Sequence, residues 1–65
     1  MNIFINQLQK ELSRSMHLDE LLDQLQPKKP FAISINSQFI AKAHYSATMV
    51  HENDSIEIIS PVTGG

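Results

Sequence analysis

Apolar and polar residues alternate over five short segments of the chain. In the first of them, Met1, Ile3 and Ile5 fall on one side and the residues between them on the other. A period of two residues is typical of a β-strand with one buried face. The pattern is clear in the first, third and fifth segments and weaker in the second and fourth. The predicted strands are MNIFIN (1–6), QLQKELS (7–13), FAISIN (31–36), QFIA (38–41) and SIEIIS (55–60).

A different period occupies HLDELLDQLQP, between the second and third strands. Leucines stand there at spacings of three and four residues, which places them on one face of an amphipathic helix. These leucines are Leu18, Leu21, Leu22 and Leu25. His17 stands at the capping position with Glu20 at the third helical position, as in a capping box, and Ser15 is the alternative cap. Pro27 disfavours helical geometry at Gln26, so the helix is predicted to end there.

The predicted order is strand, strand, helix, strand, strand, loop, strand. Segment 42–54 has no sustained period and is predicted to be a loop with one helical turn. Asn53-Asp54 ends it with a turn in which asparagine, which tolerates left-handed φ, serves in place of glycine. One helix on one face of a mixed sheet is an α+β fold. We therefore predict one folded domain over residues 1–59 and a flexible tail over residues 60–65.

Composition narrows the classes of function. The chain has 65 residues, no cysteine and a formal net charge of −2. The lack of cysteine excludes a disulfide framework and a thiolate site, and the negative charge argues against nucleic acid and against anionic membranes. No run approaches the ~18 apolar residues of a membrane-spanning helix, and the first ten residues lack the regions of a signal peptide. We expect a soluble cytoplasmic protein.

Neither a metal site nor a catalytic site is predicted. The histidines are His17, His44 and His51. No two of them stand three or four residues apart, and no cysteine supports them, so a zinc site is not expected. The carboxylates have no evident partner for acid–base chemistry.

Both glycines of the chain, Gly64 and Gly65, stand at its end, in SPVTGG. Glycine usually serves turns that need positive φ, yet the predicted turns contain none. A terminal pair contributes nothing to a core, so by themselves these glycines indicate either a frayed chain end or a segment reserved for function.

Four segments carry a wider resemblance: MNIFIN, LDELLDQL, FAISINSQFIAKAHY and VHENDSIEIISPVTGG. In this order, and over the whole chain, they resemble the ThiS family of small sulfur-carrier proteins of thiamine biosynthesis. The resemblance implies the ubiquitin-like β-grasp fold, a mixed sheet of about five strands covered on one face by a single helix. The sequence departs from the family pattern at Ser37, where a glycine usually follows asparagine, and at Asn53, where glycine commonly precedes aspartate.

The resemblance also implies a carrier rather than an enzyme. The Gly65 carboxylate would be adenylated and converted to a thiocarboxylate, at the tip of a tail formed by Val62, Thr63 and Gly64. ATP would be used by the activating partner, with no cofactor bound to this chain. The implied partners are a ubiquitin-activating-like adenylyltransferase, thiazole synthase, and a cysteine desulfurase or another sulfur donor.

Phe4 and Ile59 are apolar residues on the outward side of their predicted strands. The first and last strands of a β-grasp sheet are neighbours, so we expect these side chains to lie close together, as a docking patch for the activating enzyme.

Three other functions stay open at this point. One is the small sulfur-carrier subunit of molybdopterin synthase, although such subunits usually run longer. The others are a ubiquitin-like protein modifier joined to lysines, and an interaction domain with an inert tail.

Overall fold

The computed structural model describes residues 1–60, and the elements follow the predicted order. The strands are β1 (Asn2–Ile5), β2 (Leu8–Glu11), β3 (Ala32–Ile35), β4 (Gln38–Ile40) and β5 (Ser55–Ile59). The helix α1 spans Leu18–Leu25, and a 3₁₀ helix spans Lys42–Ala47 within the predicted loop. Among these residues, no helix is long and apolar enough to cross a membrane.

The strands form one mixed sheet in the order β2-β1-β5-β3-β4. β1 and β5 are parallel, whereas the other neighbouring strands are antiparallel. The helix α1 turns its leucine face to the sheet, as its spacing predicts. The buried apolar residues between them are Ile3, Leu12, Met16, Leu18, Leu21, Leu22, Ile33, Ile35, Val50 and Ile56. The strand that ends the described chain, β5, is therefore the central strand of the sheet.

The two hairpins turn without glycine. Each has a two-residue loop in which both residues have positive φ: Asn6 (50°) and Gln7 (70°) in the first, Asn36 (50°) and Ser37 (71°) in the second. Positive φ at both positions is the type I′ pattern, which matches the twist of the flanking strands. Asn53 also has positive φ, 66°, which confirms its predicted role in the last turn.

The first asparagine of each turn also binds the central strand. The Asn6 Oδ1 accepts a hydrogen bond from the Ile58 N–H at 2.8 Å, and the Asn36 Oδ1 accepts one from the Ser55 N–H at 2.9 Å. The Asn36 Nδ2 donates to the Asp54 carboxylate at 3.0 Å, which satisfies that buried group together with the His51 N–H. These side chains fix β5 from both sides.

The ends of α1 agree with the sequence signals. His17 is the N-cap, and its backbone N–H donates to the Glu20 carboxylate at 3.0 Å. This bond lowers the pKa of Glu20 below its usual value, and the hydrogen bond from Arg14 contributes a smaller shift in the same direction. Gln26 ends the helix in the left-handed conformation, φ 52°, immediately before Pro27.

The residues that follow the 3₁₀ helix are held against the start of α1 by backbone hydrogen bonds. The Leu18 N–H donates to the Thr48 carbonyl at 2.7 Å, and the Val50 N–H donates to the Met16 carbonyl at 2.9 Å. Tyr45 packs at the margin of the core. The segment between β4 and β5 is thus a fixed part of the domain.

Candidate functional site

The predicted tail follows β5, whose last residue is Ile59. Ile59 lies opposite Ala32 of β3, on the face of the sheet away from α1, and its side chain is 53% exposed. The predicted tail residues, Val62, Thr63, Gly64 and Gly65, lie outside the described residues. The structure therefore defines the surface next to the point where the tail begins.

The end of β5 has a strand on one side only within residues 1–60. The register of β1 with β5 stops at Ile5 and Ile56, because the chain then turns into β2. β5 continues for three more residues, and the Asn6 side chain takes the place of a strand carbonyl at the Ile58 N–H. On its other side this part of β5 stays paired with β3. On the β1 side, the end of β5 is thus held by one side-chain hydrogen bond from within residues 1–60, the bond to Asn6.

The prediction that the Phe4 and Ile59 side chains lie close together is wrong. Both residues lie on the outer face of adjacent strands, as predicted. However, Phe4 is in register with Ser55, four residues before Ile59, which corresponds to about 13 Å along the strand at roughly 3.3 Å per residue. Because the strands are parallel, the beginning of β5 lies beside β1 and its end lies beyond it. Phe4 is also partly buried, so it presents less surface than its sequence position indicates.

The apolar neighbours of Ile59 come from the opposite side of β5. Pro30, Phe31 and Ala32 line a shallow depression of about 260 Å³ together with Ile59. The sequence contained a signal for this neighbourhood: the last strand pairs with β3, so the residues before β3 come to lie beside the end of β5. Phe31 lies just before β3, where it packs against the core and stays partly exposed.

A second depression adjoins the first and shares Pro30 and Phe31 with it. This notch has a volume of about 280 Å³ and is lined by Lys29, Pro30, Phe31, Lys42 and Tyr45. The connector PKKP supplies one lysine, and the first residue of the 3₁₀ helix supplies the other. Neither lysine forms an ion pair with a carboxylate of residues 1–60. The sequence did not reveal this notch, because its lysines stand 13 positions apart on two irregular segments.

Phe39 is a further exposed apolar residue that the sequence analysis did not single out. Its side chain is 71% exposed on the outer face, opposite Ser34 of β3. The two-residue turn at Asn36-Ser37 fixes this register, so counting outward from the turn would have located Phe39. The outer face thus carries Phe39 and Ile59 at separate positions, with Ser34 and Glu57 between them.

Comparison with known proteins identifies the family. The family model described as "ThiS family" matches residues 3–65, nearly the whole chain and including both glycines. The chain belongs to the ThiS family. No curated protein sequence matches it.

Solved structures agree with this family assignment. The crystal structure of the thiamine biosynthesis protein ThiS from Geobacter metallireducens matches with a TM-score of 0.88 and 23% identity, over 100% of both chains. The solution NMR structure of a thiamine biosynthesis protein from the same organism gives a TM-score of 0.81 and 23% identity, over 100% of this chain and 88% of that one. At this identity the likeness shows the fold, and it confirms the predicted ubiquitin-like β-grasp.

Membership in the ThiS family places the chain among small sulfur carriers of thiamine biosynthesis rather than among catalytic enzymes.

Proposed function

We propose that the Gly65 carboxylate of this ThiS-family protein is adenylated and then converted to a thiocarboxylate, which donates sulfur for thiazole formation. The observation that supports this most is the family match, which extends through Gly64 and Gly65. The end of β5 is consistent with it, since Ile59 and Ser60 are exposed and the chain leaves the sheet at the surface rather than in the core.

The chemistry needs activation because a carboxylate, ionised at neutral pH with a pKa near 3.3–3.7, is a poor acylating group. A Gly65 oxygen attacks the α-phosphorus of ATP, forming an O–P bond as pyrophosphate leaves. Sulfide then attacks the acyl carbon, forming a C–S bond as AMP leaves. A persulfide donor gives an acyl disulfide by the same attack, and a thiol must then reduce it to release the thiocarboxylate.

The sequence of the tail suits this use. Glycine has no Cβ, so Gly64 and Gly65 allow the backbone to pass through a narrow channel and adopt any φ near the reacting atom. Six residues from Ser60 to Gly65 span at most about 20 Å when extended. The folded domain would thus remain outside the active site of the partner while the carboxylate reaches ATP.

The partners in this scheme are a ubiquitin-activating-like adenylyltransferase that holds ATP, a cysteine desulfurase or another sulfur donor, and thiazole synthase. This chain acts as their co-substrate and binds no cofactor itself. We propose that docking on the adenylyltransferase uses Ile59, with Phe4 contributing less because it is partly buried. Replacing Ile59 with serine should raise the KM for the carrier without lowering its melting temperature, and an unchanged KM would exclude Ile59 from the interface.

The direct test changes the position of the terminal carboxylate. Deleting Gly65 retracts it by about 3.3–3.6 Å, and adding one alanine after Gly65 moves it outward and introduces a methyl group. A displacement of ~1 Å can cost on the order of a hundredfold in rate, so both variants should lose single-turnover pyrophosphate release. Their melting curves should match that of the parent. Release at the parental rate by either variant would show that Gly65 is not the reacting residue.

The products separate a carrier from the alternatives. After incubation with ATP, the activating enzyme and a sulfur donor, intact mass should show one oxygen replaced by sulfur. A protein modifier would instead appear as lysine conjugates, and an inert domain would keep its mass. The ThiS family match favours the thiamine carrier over the small subunit of molybdopterin synthase.

A further inference from the structure

We propose that the notch formed by Lys29, Pro30, Phe31, Lys42 and Tyr45 is a second docking point, which receives an acidic segment of the activating enzyme bearing an apolar side chain. This inference rests on the proposed function, because it names the surface that the same enzyme contacts beside the tail. It concerns residues on the opposite side of β5 from Phe4.

The position of the notch follows from the register of β3 and β5. Ile59 lies opposite Ala32, so the chain that follows β5 starts beside Phe31 and Pro30, which line the notch. The depression at Ile59 and the notch with the two lysines share Pro30 and Phe31. Because Ile59, the last residue of β5, lies beside the notch, a single partner surface can contact the notch and bind the tail.

The charge of the notch is opposite to that of the whole chain. The protein has a formal net charge of −2, yet two lysines stand together at this rim. Both are exposed, and neither is neutralised by a carboxylate of residues 1–60. Exposed charges at the margin of an interface mainly steer association and fix the orientation of the partner. The notch would thus attract carboxylates to the side of the domain from which the tail leaves.

The walls of the notch determine the kind of ligand. Phe31, Tyr45 and Pro30 offer apolar surface between the two ammonium groups, and such surface favours a protein side chain over a free phosphate. The adjoining groove shares Lys29, Lys42, Phe31 and Tyr45 with the notch, and on its helix side it is lined by Asp19 and Asp23. These carboxylates repel an acidic segment from α1, so its charged groups are restricted to the lysine side.

The test compares two double variants of the full-length protein. Lys29→Gln/Lys42→Gln removes the charge of the notch, and Lys10→Gln/Lys28→Gln removes the same charge outside it. Lys28 is adjacent to Lys29 in sequence but does not line the notch. Pyrophosphate release by the purified activating enzyme is measured with ATP saturating and the carrier varied, at low and high salt.

We expect the notch variant to raise the KM for the carrier about fivefold or more with kcat within twofold, because rim charges act on association. The parental KM should rise with salt, and the rise should be smaller in the notch variant because fewer charges remain to be screened. The control variant should keep the parental KM. Equal KM values for the two variants would show that only net charge matters and would overturn the proposal.

Two further outcomes also decide the question. If the notch holds the protein's own terminal carboxylate, Lys29→Gln/Lys42→Gln will shift the Gly64 and Gly65 amide signals in the NMR spectrum of the enzyme-free protein, and the KM will not rise. This result would overturn the proposal in favour of self-occupancy. If the parent itself releases no pyrophosphate, the proposed function is wrong. If the parent and the notch variant are equally active, only the docking point is wrong.

Discussion

The turns without glycine predict an unusual pair of mutational effects. Gln7 and Ser37 are the second residues of the two hairpin turns and have φ values of 70° and 71°. A left-handed conformation costs a residue with a Cβ roughly 1–2 kcal/mol, and glycine avoids this cost. Glycine also loses more backbone entropy on folding, and this loss offsets about 0.4–1 kcal/mol of the stabilisation. Gln7→Gly and Ser37→Gly should therefore each stabilise the protein by about 0.5–1 kcal/mol.

The first residues of the same turns should behave differently. Asn6 also has positive φ, 50°, but asparagine tolerates this conformation better than most residues. Its side chain also accepts the Ile58 N–H, and a hydrogen bond of this kind contributes about 0.5–1.5 kcal/mol. Asn6→Gly should thus leave the free energy of unfolding unchanged or lower it by up to about 1 kcal/mol.

Urea denaturation and thermal melting of the parent and single variants would measure the difference. For a domain of this size, 1 kcal/mol corresponds to about 4–8 °C in Tm. The Tm of Gln7→Gly should therefore be several degrees higher than that of Asn6→Gly. An unchanged urea m-value is the control for an intact transition. Equal stabilisation by both variants would show that the Asn6 side chain does not hold β5, and no stabilisation by Gln7→Gly would show that the turn is not strained.

Two other predictions concern α1. Leu22→Ala should lower the free energy of unfolding by about 2–5 kcal/mol, since Leu22 is only 7% exposed. The control, Leu8→Ala at a 73% exposed position, should change it by no more than about 0.5 kcal/mol. Similar urea midpoints for the two variants would place Leu22 outside the core. Hydrogen bonds from the His17 N–H and, to a lesser extent, from Arg14 lower the pKa of Glu20. The ionised carboxylate therefore stabilises the folded state at pH values above the ordinary glutamate pKa of about 4.3. This stabilisation is lost as the pH falls through the lowered pKa. Melting temperatures from pH 6 to pH 2 should therefore fall further for the parent than for Glu20→Gln, and parallel curves would contradict the assignment.

Most of the fold could be predicted from local patterns. Alternation located the strands, leucine spacing located α1, and Pro27 marked its end, because each signal depends on a few neighbouring residues. The same alternation assigned Phe4 and Ile59 correctly to the outer face. It could not give their separation, since that depends on the register between β1 and β5, which are far apart in the sequence.

The notch was hidden for a related reason. Lys29 follows a helix and Lys42 begins a 3₁₀ helix, and neither segment has a period that relates one to the other. Only the pairing of β3 with β5 and the packing of the 3₁₀ helix on α1 bring them to one rim. Phe39, in contrast, could have been found, because a two-residue turn determines which residue of β4 faces Ser34.

The central position of β5 affects how the domain assembles. β1 and β2 form one local hairpin, and β3 and β4 form another, but the two hairpins join only through β5. Contacts between residues so distant in sequence close late, because the entropy of the intervening loop must be lost first. Ile59 therefore reaches its place beside Phe31 only when β5 has paired with β3. An enzyme that requires both this surface and the tail would select folded carriers and leave unfolded chains unmodified.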